Sequence, residues 1–339
     1  MHSHAERLHP MIEPEQMTFE SIIRRVPEAI AIAKLEAESA EMAKTPEGKF
    51  VATYLLATRG LLHPVLDDLQ KIGADFLLPI GGQEYNPERS IDEIGTIIAE
   101  QLAEQNTDIP GLWIRSEESA KWQNAKEEDG QVQEGKRFAV IDPLDMTSSI
   151  QKKDRVQTTG IAVYDRNGIV QAVGIASLVD HGFILIENDN GTVRTFKADA
   201  QHQHETNDTP RPLRIATLTR RMHKMRQLPL FTEHEGIWAM DCTSGYSILG
   251  LAEGTIDAVV DPFKGNPWYE VAIWIQAAEQ LGFSVSDKDG NPLAIAAGIR
   301  RMIERHEGDS FRIPFVVSRT PEIHARVLSL LREKEESPA

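Results

Sequence analysis

Two aspartates three positions apart close an apolar run in Phe138-Ala-Val-Ile-Asp142-Pro143-Leu144-Asp145, and hydroxyl residues follow at Thr147, Ser148 and Ser149. Pro143 fixes one backbone torsion between the two acids. Carboxylates held this closely repel each other unless a cation sits between them. Hard oxygen donors with a backbone carbonyl between them suit Mg²⁺. If a helix or turn begins after Asp145, the N–H groups of Met146, Thr147 and Ser148 could cradle a phosphate. The same residues would also make an Asx turn followed by a helix cap.

Two further acidic sites stand apart in the sequence. Trp113-Ile114-Arg115-Ser116 reads as a strand ending in Glu117 and Glu118. Asn266-Pro267-Trp268-Tyr269-Glu270 places a carboxylate in the first turn of an apolar helix. Singly, the first suits a solvated loop, and the second a helix dipole partner worth under about 1 kcal/mol. Two strand ends and one helix start make a set that could converge. Arg115 and Lys264 read as exposed charges, and His181 as a turn residue.

The elements that must position these residues change period along the chain. Met17 to Lys44 and Lys49 to Ile72 carry helical apolar stripes, broken at Thr45-Pro46-Glu47-Gly48. Ser90 with Glu93 has capping-box spacing for a helix reaching Gln105. Leu112 to Ile114 and Phe138 to Ile141 are strand-like runs. Thr158–Tyr164, Ile169–Leu178, Gly182–Ile186 and Thr192–Phe196 read as an antiparallel meander through Asn-Gly and His-Gly turns. Leu213–Leu218, Gly236–Met240, Ile256–Val260 and Phe311–Val317 read as further strands. Helices are expected at Ser244–Glu253, from Asn266-Pro267 to Leu281, and at Pro321–Arg332. The pattern predicts alternating layers of helices and sheets, an α+β / α/β layered sandwich. The polar stretch Asp199 to Arg211 divides residues 1–200, an α+β lobe with the metal motifs, from 201–339, an α/β lobe completing the site.

The composition of the 339 residues, 41% hydrophobic and 26% charged, is that of a globular protein. A net charge of −16 argues against nucleic acid or an anionic membrane as partner. No apolar run reaches the roughly 20 residues of a membrane span, and residues 1–10 lack the apolar core of a signal peptide. Cys242 is the single cysteine, so no internal disulfide can form, which suits a cytoplasmic location.

The order Ser-Glu-Glu, then Asp-Pro-Leu-Asp-x-Thr-Ser, then Trp-Tyr-Glu-x-Ala resembles the inositol monophosphatase and fructose-1,6-bisphosphatase superfamily. The likeness runs from about Ser90 to Asn291 and includes Leu251-Ala-Glu-Gly-Thr-Ile-Asp257. It implies the layered sugar-phosphatase fold and Mg²⁺-dependent hydrolysis of a small phosphate monoester, with two or three ions per site. It implies Glu117, Asp142, Asp145 and Glu270 as metal ligands, together with the carbonyl of Leu144. Thr147 would hold the attacking water with Asp92, Asp75 being a weaker competitor. Met146, Thr147, Ser148, Ser244 and Gly245 would contact phosphate or substrate, and Glu118 could bind through water. A homodimer and inhibition by lithium or calcium are also implied. Four places depart from the pattern: Met146 replaces the usual glycine, Glu270 follows the fructose-bisphosphatase branch, Ser149 stands where an asparagine is often found, and Gly282-Phe283 replaces the expected glycine pair. If the backbone at Met146 needs positive φ, the replacement costs roughly 1–2 kcal/mol. The alternative reading is therefore a metal- or phosphate-binding protein of the same fold, with Met146 obstructing the phosphate.

Overall fold

The computed structural model describes residues 19–72, 87–109, 111–116, 136–145, 156–180, 182–198, 211–218, 236–305 and 312–335. The first sheet has six strands in sequence order: β1 (Trp113–Ser116), β2 (Arg137–Asp145), β3 (Thr158–Asp165), β4 (Val170–Ser177), β5 (Phe183–Asp189) and β6 (Thr192–Ala198). β1 and β2 are parallel, and the other pairings are antiparallel, as the meander predicts. The β5–β6 turn holds Asn190 and Gly191 both at positive φ, 52° and 85°. Turns of this hand match the strand twist, which is why Asn-Gly serves there.

Helices α1 (Phe19–Ile23), α2 (Val26–Ser39), α3 (Pro46–Ile72) and α4 (Pro87–Gln105) carry the apolar side chains Ile22, Ile30, Leu55, Leu62 and Ile98 into one cluster with Ile141, Ile161, Val163 and Leu185. These strand residues alternate along the sheet, so they mark one of its faces. α4 begins at Pro87, four residues earlier than the capping-box spacing places it, so Ser90 lies inside the helix and is not its cap. Proline suits a first helical position, where its missing N–H costs nothing.

The second sheet holds β7 (Leu213–Thr217), β8 (Ile237–Asp241), β9 (Ala258–Pro267), β10 (Ser284–Ser286) and β11 (Arg312–Ser318), in the order β10-β11-β9-β7-β8. Between the sheets lie α5 (Ser244–Glu253), α6 (268–280) and α7 (Ile295–Arg305). Their side chains cluster with Val140, Ala162 and Val173 of the first sheet and with Val259, Phe315 and Val317 of the second. α8 (Pro321–Glu335) covers the far face through Val327 and Leu331 against Ile215, Val260 and Val316. The architecture is therefore five layers, helix–sheet–helix–sheet–helix, as the layered reading predicts. Among the described residues no helix is long and apolar enough to cross a membrane.

Trp274 of α6 is fully buried in the middle layer. A Cβ on Gly160 would lie 2.3 Å from its ring, and one on Gly245 would lie 3.0 Å from it. Two glycines thus let β3 and α5 approach the largest buried side chain, at a site where an added methyl would overpack the core.

Candidate functional site

The segment Asp142-Pro143-Leu144-Asp145 is itself strand, part of β2, while the residues directly after Asp145 lie outside the described residues. Asp142 pairs with Gly160 and Asp145 with Thr158. Three steps on β2 therefore match two on β3, and the extra residue makes a β-bulge. In a regular strand residues three apart face opposite sides. Gly160 and Thr158, two apart, share a side, and the bulge turns both aspartates to that same side. Bulges commonly re-aim side chains in this way. The side is the one facing α5 and α6, since Gly160 meets Trp274 and Gly245 meets Thr158. Leu144, 2% exposed, belongs to the opposite apolar cluster.

α5 receives the second aspartate. The helix is capped by Thr243, whose hydroxyl accepts from Tyr246 N at 3.0 Å. The amide of Gly245 then donates to Asp145 Oδ2 at 2.8 Å. The first amides of a helix lack partners within it, and their positive end favours a carboxylate. Thr158 Oγ1 reaches the same oxygen at 3.5 Å.

The adjoining residue holds the third carboxylate. Ser244 Oγ donates to Glu270 Oε2 at 2.7 Å, and Asn266 Nδ2 donates to that oxygen at 2.6 Å and to Ser244 Oγ at 2.9 Å. Successive residues of one helix start thus carry Asp145 and Glu270, which lie far apart in sequence. Glu270 ends the short α-helical start of α6, Trp268–Glu270, after which Val271–Ile275 is π-helical and Gln276–Gln280 α-helical. Pro267 caps α6 and does not occupy its first helical position. The buried Tyr164 hydroxyl donates to Ala272 O inside the π segment, anchoring the turn that follows Glu270. Single π turns are frequent at functional sites.

Asp92 is 5% exposed in the second turn of α4. A Cβ on Gly95 would lie 2.5 Å from Pro143 Cβ, so glycine lets α4 lie directly on the bulge. Thr96 Oγ1 donates to Ser116 Oγ at 3.1 Å, tying α4 to the end of β1. Burial pushes the Tyr54 hydroxyl of α3 far above the usual phenol range. The side chains of Thr159 and Thr58 oppose that shift, and the charges of Asp142 and Asp92 reinforce it. Ser116 pairs with Ile141, the residue before Asp142.

No family profile matches the chain, and no curated protein matches it in sequence. Solved structures do. An inositol monophosphatase from Anabaena superposes with a TM-score of 0.54 at 17% identity, covering 84% of this chain and 94% of that one. One from Thermotoga maritima gives 0.53 at 15% identity, covering 80% and 94%. An inositol monophosphatase/NADP phosphatase complexed with Mg²⁺ and phosphate gives 0.52 at 14% identity, covering 80% and 91%. This is the inositol monophosphatase fold.

Within that fold, the described residues bring together Asp145, Glu270, Ser244 and Gly245, with Asp142 on the same side of β2. Glu117, Glu118, Met146, Thr147, Ser148, Asp75 and His181 lie outside the described residues, as does the Lys264 side chain. Arg115 corrects an expectation: it is 3% exposed, because β1, although the end strand of its sheet, is buried along its whole length. Asn266, 4% exposed, and the glycines at 95 and 160 are structural partners of the site that motif reading missed. The only local signal for Asn266 was an amide directly before the Pro267 cap. Among the described residues no three His, Cys, Asp or Glu side chains group closely enough to hold a metal ion. The donor chemistry nevertheless fits a hard divalent cation: the acids at 142, 145 and 270 offer only oxygen.

Proposed function

We propose that this chain is a Mg²⁺-dependent phosphoric monoester hydrolase acting on a small phosphate such as an inositol phosphate, a sugar phosphate or a nucleoside bisphosphate. The observation that carries the proposal is the junction at the start of α5, where Gly245 N binds Asp145 and Ser244 Oγ binds Glu270. It stands within a fold shared with phosphatases, one of them complexed with Mg²⁺ and phosphate. Glu117, Asp142, Asp145 and Glu270, with the Leu144 carbonyl, would hold two or three ions, and both lobes, 1–200 and 201–339, would supply ligands. Bound Mg²⁺ supplies a water of lowered pKa and neutralises phosphate charge.

The chain's own residues have separable tasks in this reading. Asn266 and Ser244 orient Glu270, and the α5 N-terminus orients Asp145. Asp92 and Thr147 hold the attacking water, and the amides of Met146, Thr147 and Ser148 receive phosphate oxygens. Ser244 and Gly245 also border the leaving alcohol. The reading includes a cytoplasmic homodimer, which light scattering would check. Phosphate release from a panel of monoesters, with and without Mg²⁺, tests the activity. Turnover should require the metal and be abolished by Asp145→Asn in a variant that remains folded.

One observation favours a second reading, a catalytically impaired binding protein. Asp145 and Glu270 each have protein N–H or O–H donors on one oxygen, an arrangement that would hold both in place whether or not turnover follows. Mg²⁺ binding without release from any substrate would select this reading, and Met146→Gly should then restore turnover.

A further inference from the structure

The carboxyl end of α5 gathers three arginines. Arg211 precedes β7, Arg214 lies in β7, and Arg319 follows β11. β7, β9 and β11 are neighbours in the sheet, and their ends bring these residues around Asp257, which precedes β9. The Asp257 carboxylate accepts both Arg211 Nη2 and Nη1, at 2.9 and 3.2 Å, and the amide of Arg214 at 2.9 Å. Arg211 also donates to Gly254 O, at the helix C-cap, at 3.1 Å. One guanidinium therefore satisfies both the carboxylate and the cap.

The other two are in excess. Arg319 Nη1 comes only to 3.6 Å from Asp257 Oδ1. Arg214 Nη2 reaches Gly254 O at 3.4 Å, and its Nε is buried with no hydrogen-bond partner among the described residues. Desolvation, then the neighbouring Arg211 and Arg319, lower the Arg214 pKa against the opposing pull of Asp257. Three guanidinium groups against one carboxylate leave +2 among the described residues, in a chain whose net charge is −16. A buried donor without an acceptor is costly, and an oxyanion offers what the guanidinium forks lack. The Arg211 and Arg319 side chains are 42% and 36% exposed, so the cluster opens to solvent. The surrounding negative charge disfavours a polyanion such as nucleic acid.

We propose that Arg211, Arg214 and Arg319 form a second anion site, which takes a small phosphate-type oxyanion at the opposite end of α5 from Asp145 and Glu270. α5 has 10 residues and so separates the two ends by about 15 Å. The site is independent of the phosphatase reading.

Isothermal titration of the full chain with pyrophosphate and with inorganic phosphate, in EDTA, tests it. Saturable binding should occur equally in the wild type and in Asp145→Asn. Arg319→Gln and Arg214→Gln should each weaken it about tenfold, the loss of one good charged contact. The exposed Arg319 decides the matter if Arg214→Gln fails to fold, as circular dichroism would report. No binding by the wild type, or equal binding by the Arg319 variant, overturns the proposal.

Discussion

At its amino end α5 meets two carboxylates, Asp145 and Glu270. At its carboxyl end it meets the guanidinium groups of Arg211 and Arg214, with Arg319 beside them. Both arrangements follow the helix dipole, which favours anions at the start and cations at the end. They differ in how the excess charge is handled. At the start each carboxylate has specific donors, and the negative charge left over suits a cation. At the end one carboxylate serves three arginines, and the positive charge left over suits an anion. A single helix thus separates two sites of opposite demand.

The same substitution at the two ends would sharpen the contrast. Gly245→Ala has the largest expected effect. Its Cβ would lie 2.1 Å from Thr158 Oγ1 and 3.0 Å from Trp274, both fully buried. Overpacking there should cost about 2–3 kcal/mol in urea denaturation, and displacement of the Asp145 donor should lower phosphate release with it. A loss below about 0.5 kcal/mol would mean that the helix start is not wedged as described. Asn266→Ala comes next. Removing a group that orients a ligand typically costs roughly 10–100-fold, so Mg²⁺-dependent release should fall within that range with little change in melting temperature. An unchanged rate would remove Asn266 from the positioning of Glu270.

Gly254→Ala should be milder than Gly245→Ala. Gly254 caps α5 at φ 82°, so the cost is the left-handed penalty of about 1–2 kcal/mol, and the new methyl meets the flexible end of Arg319 at 3.1 Å. Pyrophosphate binding should weaken while Mg²⁺-dependent release persists. Parallel loss of both would break the separation of the two ends. The smallest effect is expected away from α5. His324 lies between Ser286 and Ser318, at 2.8 and 3.2 Å, and burial lowers its pKa from the usual 6.5. The unfolded chain therefore takes the proton first. The contribution to stability is complete above about pH 6.5 and is lost as pH falls from there towards the lower folded value. Denaturation measured across that window should show the step, and His324→Gln should remove it.

Much of this arrangement could be read from residue order. The meander shows itself through its turn residues, most clearly at Asn190-Gly191, because small or amide residues best accept two successive positive φ angles. α5 is legible from Thr243 and Gly254, which mark its two caps. The bulge at Pro143 was not legible, because a proline between acids suits a turn and a strand equally, and pairing with β3 decides between them. The π turn after Glu270 was not legible either: it accepts a hydrogen bond from Tyr164, which is distant in sequence. α7 is a different case: Ile295, Ile299, Met302 and Ile303 keep helical spacing and are buried, so its signal was present, but a reading led by acidic motifs passes over it. The arginine site is invisible in sequence because Arg211, Arg214 and Arg319 meet only through the strand order of the second sheet.

The bulge in β2 also imposes a parity rule on the chain. A pleated strand offers positions of equal aspect only at even separations, and an odd interval works between Asp142 and Asp145 because one residue goes uncounted by the partner strand. Regular pairing of the same residues would set Leu144 opposite Thr158 and turn Asp145 into the apolar layer beneath α3 and α4. An unpaired ion there costs several kcal/mol. Pro143 guards against that straightening, since it has no N–H to offer a regular ladder. Removing one of the two intervening residues, by contrast, would leave the acids at an even interval and facing the same way. The strand can therefore absorb a shortening at this point more readily than a loss of its irregularity.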